Sequence, residues 1–242
     1  MNKFFCFHVL LFLLLACICC VLVNAFAVID ELISPVTTEA RYPFWIGSAL
    51  TTAIVAFDDQ TKDPAQQETV EHKPLGKYSK YGDLMGQLIP NAAYLLWEGG
   101  RGLFTSDQNA LTNASLMFSA TAYSGMIANI LKVTVRERRP SGDSRQSFPS
   151  GHTTVAFAFA SVVGMRNSIF LAIPAYLIAA VVGYSRMNDN RHWLHDVVAG
   201  ATLGLSYGVG ICSLESGGGR YSMLLPTYLE NKGPMLTYII KF

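Results

Sequence analysis

Apolar runs and polar interruptions alternate along this chain with a helical rather than a strand-like rhythm. The first run, from Phe4 to Ile29, carries no charge and follows a single Lys3. A short basic start, the leucine-rich core Val9–Leu15 and the small residues at Val23-Asn24-Ala25 fit a secretory signal cut after Ala25 or Ala27. The run is also long enough for a retained membrane anchor, and Leu14-Leu15-Ala16-Cys17 faintly resembles a lipoprotein cleavage box. Each of these alternatives sends the domain out of the cytosol.

Residues 26–41 read as a linker. Pro43 opens an apolar helix to about Phe57, short for a membrane span. Asp58 to Gly82 mixes acidic and basic residues and reads as a surface excursion. A helix follows over Asp83–Glu98, where Gln87, Asn91 and Ala92 favour protein packing over lipid, and Gly99-Gly100-Arg101-Gly102 ends it. Asn109–Val135 is the longest candidate, with Ala114, Ser119, Ala120, Ser124, Gly125 and Ala128 permitting close packing. Three more helices are expected at Gly151–Met165, Ser168–Tyr184 and Trp193–Cys212, with Pro174 able to kink the second. The pattern therefore predicts an all-α fold, a bundle of about six core helices behind the N-terminal signal or anchor. Its lengths fit a compact bundle, and its apolarity would tolerate a membrane. Ser216-Gly217-Gly218-Gly219 breaks the pattern, and the tail has a turn at Asn231-Lys232-Gly233-Pro234 between two β-prone runs, the signature of a hairpin. The organisation predicted is a leader (1–25), a linker (26–41), a helical domain (42–215) and a tail (216–242).

Composition narrows the class. Apolar residues make up 51% and charged residues 14% of the chain, which excludes a disordered protein, and a net charge of +1 gives no support to nucleic-acid binding. Four of the five cysteines lie in the leader, so a cleaved form keeps only Cys212 and forms no internal disulfide. The Cys17 to Cys20 spacing sits inside the apolar leader, where a zinc site is implausible, and no metal or cofactor is expected.

Reactive side chains concentrate in three stretches: Lys132 to Pro140, Ser147 to His152, and Ser185 to Asp196. Lys132 and Arg139 stand two helical turns apart and so face one side while the helix lasts, and Pro140 ends it there. Ser150-Gly151-His152 opens a helix, where free backbone N–H groups bind anions and glycine permits close approach. Asp196 lies four residues after His192, so its carboxylate can accept from one imidazole nitrogen and leave the other to attack. His195 is off that face and reads as a structural or supporting residue. His72 and His8 look incidental, and the glycine stretch Glu215–Arg220 reads as a hinge. Alone, each stretch is also explained blandly, as a basic helix end, a capped helix start and a surface turn.

Together, K-x6-R-P, P-S-G-H and S-R-x5-H-x3-D resemble the three-part signature of the type-2 phosphatidic-acid phosphatase and vanadium haloperoxidase superfamily, with every defining position filled. The resemblance covers most of residues 42–213 and looks most like the exported bacterial acid-phosphatase-like members. It implies that Lys132, Arg139 and Arg186 bind phosphate oxygens with Ser150 and the Gly151 backbone, that His192 attacks phosphorus while Asp196 holds its ring, and that His152 protonates the leaving oxygen. The implied protein is a metal-independent phosphatase of phosphate monoesters or diphosphates. Its substrate would be a phosphorylated small molecule or lipid, a lipid phosphate or polyprenyl diphosphate among them. It would work in the periplasm, or anchored in the inner membrane with its site facing outward, with the membrane surface as a partner. A vanadate-dependent haloperoxidase and a non-catalytic phosphate-binding protein are the alternatives on the same fold. An acidic to neutral pH optimum follows, because His152 must start protonated and His192 neutral.

Overall fold

The computed structural model describes residues 28–216 and the backbone of two strands beyond them, Tyr221–Leu229 (β1) and Gly233–Lys241 (β2). The expected leader and the glycines at 217–219 lie outside the described residues.

The chain is an all-α bundle. Residues 28–37 are helical (α1), followed by α2 (Arg41–Ala56), α3 (Asp58–His72), a 3-10 turn (Gly76–Tyr78) and α4 (Ser79–Met85). Then come α5 (Ile89–Thr105), α6 (Gln108–Val135), α7 (Gly151–Arg166), α8 (Ile169–Asn188) and α9 (Leu194–Glu215). β1 and β2 pair antiparallel with Leu229 opposite Gly233, the hairpin expected of the tail.

Local chemistry sets these boundaries. Asp107 caps α6, its carboxylate accepting from the backbone N–H of Asn109 at 3.0 Å and Ala110 at 3.3 Å. Arg136 ends α6 in the left-handed region at φ 55°, its N–H returning to the Lys132 carbonyl. Ser150 caps α7, and Asp196, in the first turn of α9, accepts from the N–H of Trp193 at 2.8 Å.

α7 is the central element, packed on α9, α8 and α6. Its contact with α9 runs along Gly200, Gly204 and Gly208, spaced one helical turn apart. A Cβ on Gly200 would stand 2.5 Å from the Ser150 carbonyl oxygen, and one on Gly204 would stand 2.2 Å from that of Thr154. Two helix backbones approach this closely only where the side chain is missing. Met117, Ala120, Ala160, Val162, Val182, Tyr207 and Ile211 fill the core around that contact.

Three expectations change. Asp58–Gly82, read as a surface excursion, is helix α3, the 3-10 turn and the first half of α4; buried Gln66 docks it by donating to the Met187 carbonyl at 3.1 Å and Asn190 Oδ1 at 2.8 Å. The linker segment is largely helical, and Ser34 lies buried where a Cβ on Gly210 would strike it. The helix expected over Asp83–Glu98 is broken after Met85, because Gly86 is pressed against Val182 and His152 and Pro90 opens a new helix. α5 then runs through Gly99–Gly102 to Thr105, and Gly102 serves close packing on Leu111 rather than termination.

α5 also turns its polar face inward. Asn91 and Glu98 are buried, while Leu96, Trp97, Leu103 and Phe104 project outward, Phe104 being 92% exposed. Asn91 donates to Thr121 Oγ1 at 2.8 Å, and Glu98 accepts from Arg101 at 2.6 Å and Asn113 at 3.2 Å. α8 exposes Phe170, Leu171, Leu177 and Val181 in the same way. Exposed aromatic and aliphatic side chains in such number mark a surface that meets a membrane or another protein. α6, α8 and α9 are long and apolar enough to cross a membrane.

Candidate active site

Four backbone and side-chain bonds sew the three reactive stretches together at one end of the bundle. The Ser147 N–H donates to the Glu137 carbonyl at 3.0 Å, and the Ser150 N–H to that of Asp196 at 3.0 Å. The Ser141 N–H donates to the Asn190 carbonyl at 3.1 Å, and Trp193 Nε1 to that of Arg138 at 2.9 Å. Residues distant in sequence therefore meet through main-chain contacts, which hold whatever the side chains bind.

His192 is buried, with Nδ1 3.4 Å from Asp196 Oδ2. That oxygen also accepts from Ser147 Oγ at 2.5 Å and from the Trp193 N–H, so the carboxylate is fixed from three sides. Burial pushes the His192 imidazole below its ordinary pKa, the hydrogen bond and charge of Asp196 pull it back up, and the nearby charges of Lys132 and Arg139 lower it further. The net effect is a lowered pKa, which favours the neutral ring.

The cations are differently placed. Lys132 Nζ donates to the carbonyls of Gln146 at 3.0 Å, Ser147 at 3.4 Å and Pro149 at 2.5 Å, so the ammonium organises the loop before α7. Reaching a phosphate oxygen would require it to give up one of these. Arg139 is held by its N–H on the Ser144 carbonyl, and its buried Nε has no hydrogen-bond partner among the described residues. A half-buried guanidinium whose Nε is free to donate suits the binding of an anion. The Ser150 hydroxyl accepts from Thr153 Oγ1 at 2.9 Å, which leaves its own proton to donate.

Arg186 introduces a residue that the sequence reading missed. Its Nη1 donates to Asp83 Oδ1 and its Nη2 to Asp189 Oδ2 at 3.1 Å. The same Asp83 oxygen lies 3.2 Å from His152 Nε2. Burial would raise the Asp83 carboxyl, but the charge and hydrogen bond of Arg186, with help from His152, hold it below the usual carboxylate range. His152 itself is pushed down to about 4, first by burial and then by Arg186, against an upward pull from Asp83; His192 and Lys132 add to the lowering. Asp83 thus bridges a cation of the third stretch and the histidine of the second.

His195, read from the sequence as structural or supporting, lies beside Asp196. It is buried, its ring stacks on Phe148, and its Nε2 lies 2.8 Å from Glu137 Oε2 and 3.3 Å from Asp196 Oδ1. These three residues present metal-type ligand atoms within 4.8 Å of one another. Their spacing is equally that of a proton shared between an imidazole and two carboxylates, and Asp196 is already engaged with His192.

Residues 113–216 match the PAP2 superfamily model. The chain is 33% identical over 138 residues to a lipid A 1-phosphatase of Porphyromonas gingivalis, a match covering 55% of this chain and 30% of that protein. It spans about a third of that relative's length. Among solved structures it is similar to Aquifex aeolicus LpxE, with a TM-score of 0.53 and 22% identity over 64% of this chain and 94% of the other. It is also similar to a transmembrane PAP2 type phosphatidylglycerolphosphate phosphatase from Bacillus subtilis, with a TM-score of 0.58 and 21% identity over 76% and 97% of the two chains. Those two likenesses concern the helical fold.

Proposed function

We propose, from the match of residues 113–216 to the PAP2 superfamily model, that this chain is a metal-independent phosphatase of lipid phosphates or polyprenyl diphosphates. His192 attacks phosphorus through Nε2 and carries the phosphoryl group, while Asp196 steadies the charge that develops on its ring. Arg139, Arg186 and Lys132 neutralise the phosphoryl oxygens, with the Ser150 hydroxyl and the N–H groups at the start of α7 completing the cradle. His152 hands its proton to the leaving oxygen and then takes one from the water that hydrolyses the phosphohistidine. The observation that carries this reading is the pairing of His192 with a triply anchored Asp196 near half-buried Arg139, whose Nε has no hydrogen-bond partner among the described residues.

The outward apolar faces of α5 and α8 and the three span-length helices support a protein embedded in a membrane. An exported site facing the periplasm agrees with the uncharged N-terminal run. The test is phosphate release by the full chain in detergent, with chelator present, from phosphatidic acid, a prenyl diphosphate and p-nitrophenyl phosphate. Radiolabel from the substrate phosphoryl group should stay on the wild-type protein after rapid quenching and be absent from His192→Ala. Near-normal turnover by His192→Ala would overturn the mechanism.

A further inference from the structure

A cavity of about 550 Å³ opens beside the candidate phosphate site and shares Asp83 and Arg186 with it. It is far larger than one phosphoryl group needs and falls within the range of small-molecule pockets. Lys73, Ser79 and Lys80 form one wall, and Asn188, Asn190 and Arg191 the other.

The charges are unequal. Lys73, Lys80, Arg186 and Arg191 face two carboxylates, Asp83 and Asp189, and both carboxylates are already bonded to Arg186. Arg191 is braced at the rim by Asp143 at 2.7 Å. The walls are built rather than loose. The Leu75 N–H donates to Asn188 Oδ1 at 3.2 Å, and Gln66 holds Asn190 Oδ1 at 2.8 Å while Asn190 sits in the left-handed region at φ 57°. Carboxamides, a hydroxyl and ammonium groups suit a hydrated anionic headgroup and not an acyl chain.

We infer that this cavity receives a second phosphate-type anion on the substrate, the one that stays with the product after the terminal phosphoryl group moves to His192. The inference rests on the phosphatase reading for its function, and it names the substrate class as one with two neighbouring anionic groups in its head. Lys73 and Lys80 are its specificity-determining residues, and Arg186 is the hinge between the two anions.

The test uses the full chain in detergent with His192→Ala, which can form no phosphohistidine, so that inorganic pyrophosphate and orthophosphate are read as calorimetric ligands without turnover. That protein should bind pyrophosphate at least about tenfold more tightly than orthophosphate, and adding Lys73→Ala/Lys80→Ala should erase that difference. Lys73→Arg/Lys80→Arg should keep it, which separates charge from fold. Equal affinity of the His192→Ala protein for both anions, or a proportionate loss of both when Lys73 and Lys80 are also alanine, overturns the inference. Selective pyrophosphate binding without hydrolysis of any ester would sink the phosphatase reading and leave the cavity assignment standing.

Discussion

Replacing Asp83 by asparagine tests how the site sets the proton on its acid. The carboxylate oxygen lies 3.2 Å from His152 Nε2 and also takes Arg186 Nη1. Asparagine keeps the volume and one acceptor but removes the charge. At an effective dielectric near 20 the pair would interact by about 5 kcal/mol. The Asp83 side chain is 45% exposed, so solvent screening reduces this to about 1–2 kcal/mol, or about one pKa unit. Asp83 raises the His152 pKa from what burial and Arg186 alone would give. Its loss therefore moves that pKa further down from about 4. In the proposed mechanism the acid form of His152 is the working form, so kcat/KM, which reports the free enzyme, should lose its high-pH limb about one unit earlier. Near neutral pH that is about a tenfold loss, with more from the unaimed Arg186. The assay is the pH dependence of kcat/KM with an alkyl phosphate and with p-nitrophenyl phosphate. The alkyl ester, whose leaving oxygen needs the proton, should suffer more. An unmoved profile with equal losses on both esters would refute the reasoning, because a merely structural defect behaves that way.

Other outcomes follow from the same geometry. In wild-type protein the limb seen in kcat should lie at higher pH than that in kcat/KM, because a bound phosphoryl anion offsets the cations that depress His152; a pH series at saturating substrate measures it. His152→Ala should keep the radiolabelled intermediate from p-nitrophenyl phosphate yet lose about 10²–10⁴ in rate on alkyl esters, read by rapid quench. Gly204→Ala should lower the thermal midpoint in detergent, because its Cβ would meet backbone of Thr154 at 2.2 Å and overpacking of this kind costs about 1–3 kcal/mol or more. Phe104→Glu and Phe170→Glu should weaken membrane retention against alkaline washing without touching the site.

Much of this was legible in the chain because helix and motif agree in period. Lys132, His152 and His192 fall at helix ends that apolar periodicity marks, so their grouping needed only that the helices alternate in direction. The length of α5 and the helicity of α3 were not legible, for a shared reason. Gly102 and Gln66 look like a terminator and a solvated polar residue in one dimension, and only the partners Leu111 and Asn190 reveal them as packing devices. The inward polar face of α5 misleads in the same way. Asn91 counts as evidence against lipid when burial is assumed to be apolar, yet here Thr121 is its interior partner and the apolar side chains of α5 point outward.

Asp83 is the instructive case. In an up-and-down bundle every second junction returns to the same end, so the α6–α7 and α8–α9 connections, which hold the three stretches, must be neighbours. The α4–α5 junction is two crossings earlier and belongs to that end by the same parity. A charged residue there faces the site, and Asp83 and Lys80 are the ones α4 supplies. What hid this was the unbroken helix expected over Asp83–Glu98, which moves the junction away from Asp83 and turns a site residue into a helix-capping one. Once Gly86 breaks that helix, the parity argument alone brings a carboxylate to the cations. The contacts to His152 and Arg186 then fit a role for it there: it holds one cation in place and pulls the pKa of the neighbouring imidazole upward.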